Sequence, residues 1–238
     1  MDASSTHPLT GLRAAVTGGT SGLGLALVIR LHGLGAHVAF VARDAARVAE
    51  VARRLPGTHG IAGDVSSKEG AHPLALQVTA ALGGLDLLVN NASTLGPRAL
   101  VPLGDTECED FEAALAANLV GPFRLTKALL GALAASARQG RTALVVNITS
   151  DAGVNAYPGW GAYGASKAAL AHLSRIWDEE LREHGIRVLA HDPGDMDTPL
   201  HAQALPGADR TTLKAPSASA DDLLARIAQV IAQEESTA

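Results

Sequence analysis

The chain reads as an α/β protein built on a doubly wound parallel sheet. Three observations predict that class. Six short apolar runs recur along the sequence, each bounded by turn residues. Longer stretches of helical periodicity separate them. The first run leads into a glycine-rich turn that opens a helix, the junction at which such sheets hold phosphate groups.

The runs at 13–17, 37–41, 59–63, 85–90, 143–148 and 187–191 are short and apolar, as parallel strands covered on both faces must be. Helices are expected at 22–34, 45–55, 69–82, 107–137 and 161–184, with a last one at about 221–232 after Ser219 and Ala220. Pro122 lies inside the fourth helix, and its missing N–H predicts a kink or restart there. Right-handed strand–helix–strand connections then place helices on both faces of a six-stranded sheet. The predicted organisation is one domain at 11–238, preceded by a flexible tail at 1–10 and fraying from about 234.

A length of 238 residues supports one core without covalent cross-links. Apolar residues make up 47% and charged residues 18%, a globular composition rather than a disordered one. The net charge of −5 comes with no basic block, so nucleic acid is not an expected partner. Cys108 is the single cysteine; it excludes an intrachain disulfide and reads as a small side chain near a helix start. No run of 18 apolar residues appears, so no membrane span is expected. The first ten residues are polar and unlike a signal peptide, which makes a cytoplasmic location the expectation.

The glycine-rich turn comprises Thr17, Gly18, Gly19, Thr20, Ser21, Gly22, Leu23 and Gly24. Glycines let backbone approach a pyrophosphate, and the following helix offers free amides and a positive dipole end. Its place between the first strand and the first helix makes this a Rossmann-type dinucleotide turn. The second strand ends in Phe40, Val41, Ala42, Arg43 and Asp44. An acidic residue at the strand end would hold the ribose hydroxyls of NAD. Ala42 occupies that position and Arg43 follows, so a guanidinium is available to a 2′-phosphate and NADP(H) is favoured. NAD(H) stays the alternative if the strand ends two residues later and Asp44 faces the ribose. Otherwise Asp44 caps the next helix.

Tyr163 and Lys167 are four residues apart, which stacks them on one helix face. A fixed ammonium favours phenolate, so the pair is expected to draw the tyrosine pKa down from its usual value near 10. That would give a proton donor and acceptor close to neutrality.

With these motifs in order, the chain resembles a classical short-chain dehydrogenase/reductase from about Gly11 to Leu200. The segment Thr17–Gly24 matches that family's cofactor turn. Asp64 and Val65 match the pair that meets the adenine. Asn90, Asn91, Ala92 and Ser93 match its NNAG element, with Ser for Gly. Asn118, Ser150, Tyr163 and Lys167 match its catalytic tetrad, and Pro193, Gly194 and Thr198 match the PGxxxT segment over the nicotinamide. The resemblance implies that Ser150 donates to a substrate carbonyl oxygen and that Tyr163 transfers the proton. It implies that Lys167 depresses the tyrosine pKa and bonds the nicotinamide ribose. Asn118 then holds a water that links Lys167 to solvent. The implied activity is hydride transfer between NAD(P) and a ketone, aldehyde or secondary alcohol. A nucleotide-binding regulatory protein of the same fold is the alternative. Epimerases and dehydratases of related fold have longer substrate domains.

Three features depart from the family pattern. His191 and Asp192 precede Pro193, where an Asn or small residue is more usual; His191 reads as packed or solvent-facing. Asp195, Asp197 and His201 cluster after the lid; a mobile substrate loop across 195–214 is expected there, with no metal. Nothing after Val230 reads as a seventh strand, so a homodimer through the two long helices is expected before a tetramer. Val154, Tyr157 and Trp160, with Leu95, Pro97 and Leu200, are expected to line a pocket for a hydrophobic carbonyl compound.

Overall fold

Strand residues pointing to alternate sides divide the core into two layers. A computed structural model describes residues 7–235. The strands are β1 (Arg13–Thr17), β2 (His37–Ala42), β3 (His59–Ala62), β4 (Leu87–Asn90), β5 (Leu144–Ile148) and β6 (Arg187–His191). They form one all-parallel sheet in the order β3-β2-β1-β4-β5-β6. The order reverses direction between β1 and β4, which opens a crevice at their carboxyl ends.

The helices are α1 (Gly22–Gly33), α2 (Ala45–Arg54), α3 (Ala71–Leu82), α4 (Cys108–Leu115), α5 (Gly121–Arg138), α6 (Gly161–Leu181), α7 (Pro199–Ala204) and α8 (Pro216–Glu235). Val16, Phe40 and Val89 pack with Leu27 of α1, Val48 of α2 and Ile227 of α8 on one face. Ala15, Val41 and Leu88 pack with Val78 of α3, Leu129 of α5 and Trp177 of α6 on the other. Every second strand residue therefore serves a different layer, and both layers are apolar.

Several boundaries differ from the sequence reading, each for a local reason. The expected fourth helix is interrupted by a π turn at Ala116–Val120, after which Pro122 sits in the first turn of α5. The wider π turn accommodates the residue that lacks an N–H, so the helix restarts there, one of the two expected outcomes. The last helix begins five residues earlier than expected, at Pro216, through proline's preference for the first turn. Ser219, expected to precede that helix, is fully buried inside α8 and donates to the Pro193 carbonyl at 3.0 Å. The expected tail at 1–10 is shorter than drawn: Leu9 is fully buried in the core, and Thr10 Oγ1 donates to the Leu34 carbonyl. The first six residues of that tail, and 236–238, lie outside the described residues.

At the amino ends of the strands, Asp86 is completely buried and doubly paired. Arg13 and Arg141 each approach its carboxylate at 2.7 Å, and the Arg13 backbone N–H adds a third donor. Burial alone would raise this carboxyl; hydrogen bonds from Arg141 and Arg13 outweigh it and hold the group well below the usual carboxylate range.

Candidate active site

The glycine turn is held by the loop after β4. Thr17 Oγ1 accepts from the backbone N–H groups of Asn91 and Ala92, and Asn91 Nδ2 donates to the Thr17 carbonyl at 2.8 Å. Gly18 has φ +71°, a left-handed conformation that disfavours any side chain. A Cβ on Gly24 would collide with the Gly18 carbonyl oxygen, so the helix packs directly onto the turn. No side chain caps the N-terminus of α1, which leaves its first amides facing the crevice. That cradle fits a pyrophosphate.

A cavity of about 530 Å³ follows the crevice. Gly18, Thr20, Ser21, Gly22 and Leu23 line it at the glycine turn. Arg43, Asp64 and Val65 line it beyond β2 and β3; Asn91, Ala92, Pro193, Gly194 and Thr198 line it across the middle. Ser150, Tyr163 and Lys167 face the same space. Thr17, Gly24 and Asn118 stand behind the wall and brace it.

The β2 strand end falls where the first of the two sequence alternatives put it, with Asp44 as well as Arg43 lining the cavity. The strand stops at Ala42, and Asp44 Oδ1 caps α2 by accepting from the Ala46 and Arg47 amides. Arg43 is exposed and lines the cavity. Arg47, which the sequence reading did not single out, lines it one turn further on. Its only signal is position: it lies in the first turn of α2, three residues after the Asp44 cap.

Asn118 sits in the π turn and is fully buried. Its Nδ2 donates to the Thr94 carbonyl and to Ser166 Oγ, and its Oδ1 accepts from the Thr94 amide and Ser93 Oγ. The side chain therefore ties the β4 loop to α6. Asn90 and Asn147, paired across β4 and β5, carry a second buried polar link: Asn90 Nδ2 donates to Asn147 Oδ1, whose own amide donates to Ser174 Oγ. Sequence reasoning gave Asn147 no role, because an Asn in an apolar strand shows its partner only in the fold.

Tyr163 and Lys167 are 8% and 2% exposed. Burial pushes the Tyr163 phenol up to about 12, against hydrogen bonds with Ser150 and Ser93 that favour the phenolate. Burial draws the Lys167 ammonium down to about 8. The expected lowering of the tyrosine pKa is thus reversed. Both charged forms lose water, and Lys167 Nζ donates to the Ile148 carbonyl at 2.8 Å, lying 5.4 Å from the phenol ring centroid.

Ser150 Oγ accepts from the Ala152 amide and donates to Asp151 Oδ1 at 3.1 Å. Tyr157 Oη donates to Asp151 Oδ2 at 2.8 Å. Tyr157, Trp160, Leu95 and Leu200 line the cavity as expected, whereas Val154 is 87% exposed and, like Pro97, is not part of the wall. Asp151, Asp192 and Asp195 line it too, so the pocket is not simply hydrophobic.

His191 is buried against α8, where its Nδ1 lies 3.3 Å from Arg226. Burial and then the Arg226 charge lower its pKa. Asp197 pairs with Arg210 at 2.7 Å, and Thr198 Oγ1 accepts from the His201 amide to cap α7. The expected loop at 195–214 contains α7 and a single 3₁₀ turn, Arg210–Thr212, and is closed at its base by Asp197 N–H bonding the Lys214 carbonyl.

The short chain dehydrogenase family model matches residues 13–208. A 2,5-dichloro-2,5-cyclohexadiene-1,4-diol dehydrogenase from Sphingobium indicum is 35% identical over 198 residues, 83% of this chain and 77% of that one. The crystal structure of a short chain dehydrogenase from Shigella flexneri complexed with NADP has a TM-score of 0.82 at 26% identity, covering 89% of each chain. That of a 3-ketoacyl-(acyl-carrier-protein) reductase from Brucella melitensis complexed with NADH has a TM-score of 0.84 at 25% identity, covering 91% of this chain and 90% of that one. The sheet order, the glycine turn, the matched residues and these likenesses agree: the chain belongs to the classical short-chain dehydrogenase/reductase family of oxidoreductases.

Proposed function

We propose that the protein reduces a ketone or aldehyde with NADPH, or oxidises the corresponding secondary alcohol in reverse. The observation that carries this reading is the meeting of Ser150, Tyr163 and Lys167 in one cavity with an uncapped helix N-terminus. Thr20 to Leu23 would hold the pyrophosphate, Asp64 and Val65 the adenine end, and Pro193, Gly194 and Thr198 the nicotinamide end. When bound, the nicotinamide supplies or accepts a hydride.

The chain's own groups supply the proton chemistry. A phenol with a pKa of about 12 keeps its proton at neutral pH, so Tyr163 holds a proton to donate as a carbonyl oxygen gains negative charge. Ser150 stabilises the same oxygen with its hydroxyl. Lys167, at about 8, is still mostly protonated at pH 7, and its charge lowers the cost of the phenolate left behind. Both side-chain donors of Asn118 are engaged, so the water relay assigned to this residue would run through its backbone.

Arg43 supports NADP(H), with Arg47 beside it as a second guanidinium for a 2′-phosphate. NADP and NADH complexes both occur among the similar structures. Within this reading the protein is a cytoplasmic homodimer joined through α5 and α6. Phe123 and Ile176 support that face: they are 36% and 42% exposed, and Phe123 stacks on Trp177 at 5.3 Å. A light-scattering mass of four subunits would count against the dimer. The activity is tested with a panel of ketones and aldehydes, each offered with NADPH and NADH and followed by loss of reduced-nicotinamide absorbance. Turnover preferring NADPH is expected; no turnover with any carbonyl compound would overturn the proposal.

A further inference from the structure

Ser150 has one proton: in this structure Asp151 Oδ1 accepts it, and the Tyr163 phenol lies within reach as the competing acceptor. The carboxylate accepts from Ser150 Oγ on Oδ1 and from Tyr157 Oη on Oδ2, at 3.1 and 2.8 Å. Both Asp151 and Ser150 line the cavity, and the Asp151 charge is felt at the Tyr163 phenol. A carboxylate is a stronger acceptor than a neutral carbonyl oxygen. A plain ketone must therefore take the Ser150 proton from a better acceptor and leave Asp151 Oδ1 to water, whereas a substrate hydroxyl would replace the lost bond.

We propose that Asp151 is a specificity-determining residue that selects carbonyl compounds bearing a hydroxyl on the adjacent carbon. This inference rests on the carbonyl-reductase reading above. The exchange is balanced in hydrogen bonds. Ser150 turns its O–H from Asp151 to the substrate carbonyl, and the substrate hydroxyl donates to Asp151 in its place. The two oxygens of an α-hydroxy ketone lie about a hydrogen-bond length apart, matching the Ser150 Oγ to Asp151 Oδ1 separation. Tyr157 keeps the carboxylate oriented throughout. Asp192 and Asp195 line the cavity as well, so a substrate carboxylate beside the carbonyl meets like charge.

The test compares 2-hydroxyacetophenone, acetophenone and phenylglyoxylate as substrates of the wild type, Asp151→Ala and Asp151→Asn. The readout is the ratio of kcat/KM between the first two compounds, in which intrinsic ketone reactivity cancels from one variant to the next. Nucleotide affinity is measured alongside as a check on folding. Asp151→Ala is expected to lower that ratio by about tenfold or more, the scale of a hydrogen bond to a charged group. Asp151→Asn, which keeps an acceptor without charge, should fall between and should accept phenylglyoxylate better than the wild type does. A ratio unchanged in both variants overturns the inference and leaves the carbonyl-reductase reading standing. Failure of the wild type to reduce any carbonyl compound overturns both.

Discussion

The two ends of the sheet bury opposite charges in opposite ways. At the amino end, Asp86 is fully buried but accepts from two arginines and a backbone amide. At the carboxyl end, Lys167 is as deeply buried and has one backbone carbonyl as its hydrogen-bond acceptor. Their titration follows: Asp86 is held ionised far into acid, while Lys167 is drawn down to about 8 and Tyr163 pushed up to about 12. A satisfied buried charge locks structure. An under-compensated pair of titrating groups stores the imbalance that proton transfer needs. The contrast predicts that changes at one end alter turnover without stability, and at the other end stability without turnover.

The largest effect is expected at Tyr163. Tyr163→Phe should lower turnover by roughly 10²–10⁴-fold, the usual weight of general acid catalysis, with nucleotide affinity and melting temperature near wild type. Steady-state rates beside thermal melts check this, and wild-type turnover would remove Tyr163 from the chemistry. Next comes Asp86→Asn, which leaves Arg13 and Arg141 without their carboxylate. A loss of about 2–3 kcal/mol is expected in denaturant titration, less than for a wholly buried pair because Arg141 is 41% exposed. Turnover below the melting temperature should not change. The sign in pH follows from the depressed folded pKa. The Asp86 contribution is fully present above the ordinary Asp range near pH 4 and is lost progressively as acid protonates the carboxyl. The Asp86→Asn variant should therefore lack that part of the wild type's acid sensitivity.

Arg43→Ala should weaken NADPH by about tenfold or more and NADH by much less, read by fluorescence titration with each nucleotide. Equal losses would shift the phosphate role away from Arg43. The smallest effect sharpens the comparison most. Lys167→Met should keep stability at pH 7 or raise it by about 1 kcal/mol, because a poorly compensated buried charge is replaced by an apolar chain of similar length. Between about 8 and the unfolded lysine value near 10.4, the unfolded chain binds more protons, so the wild type gains on the variant as pH rises through that window. A large loss of stability at pH 7 would mean that Lys167 is a structural charge like Asp86.

Much of the candidate site was legible because its motifs are local. The glycine turn, the Tyr163–Lys167 spacing and the strand that ends just before Ser150 each reside within a few residues. Strand period and apolar content likewise gave six strands and their order of appearance. The π turn at 116–120 was missed because it is set by what packs against it, whereas the helix start at Pro216 carried a local signal, proline's preference for the first turn, that was passed over for Ser219 and Ala220. Ser219 is buried in α8, bonded to the Pro193 carbonyl, and Asn118 is anchored by Thr94 and Ser166.

The amino-acid sequence by itself determined the doubly wound class, the nucleotide turn and the identity of the candidate proton-transfer groups. Those depend on periodicity, on glycine's freedom at positive φ and on residue chemistry, all of which act over short stretches of chain. Tertiary structure alone decided the state of those groups. It set Asp44 Oδ1 to capping α2, with Arg43 and Asp44 both lining the cavity. It removed water from Tyr163 and Lys167 and so reversed the expected shift of the tyrosine. It also turned Ser150 toward Asp151. Desolvation and hydrogen-bond partners are set by residues far apart in sequence, and no local pattern encodes them.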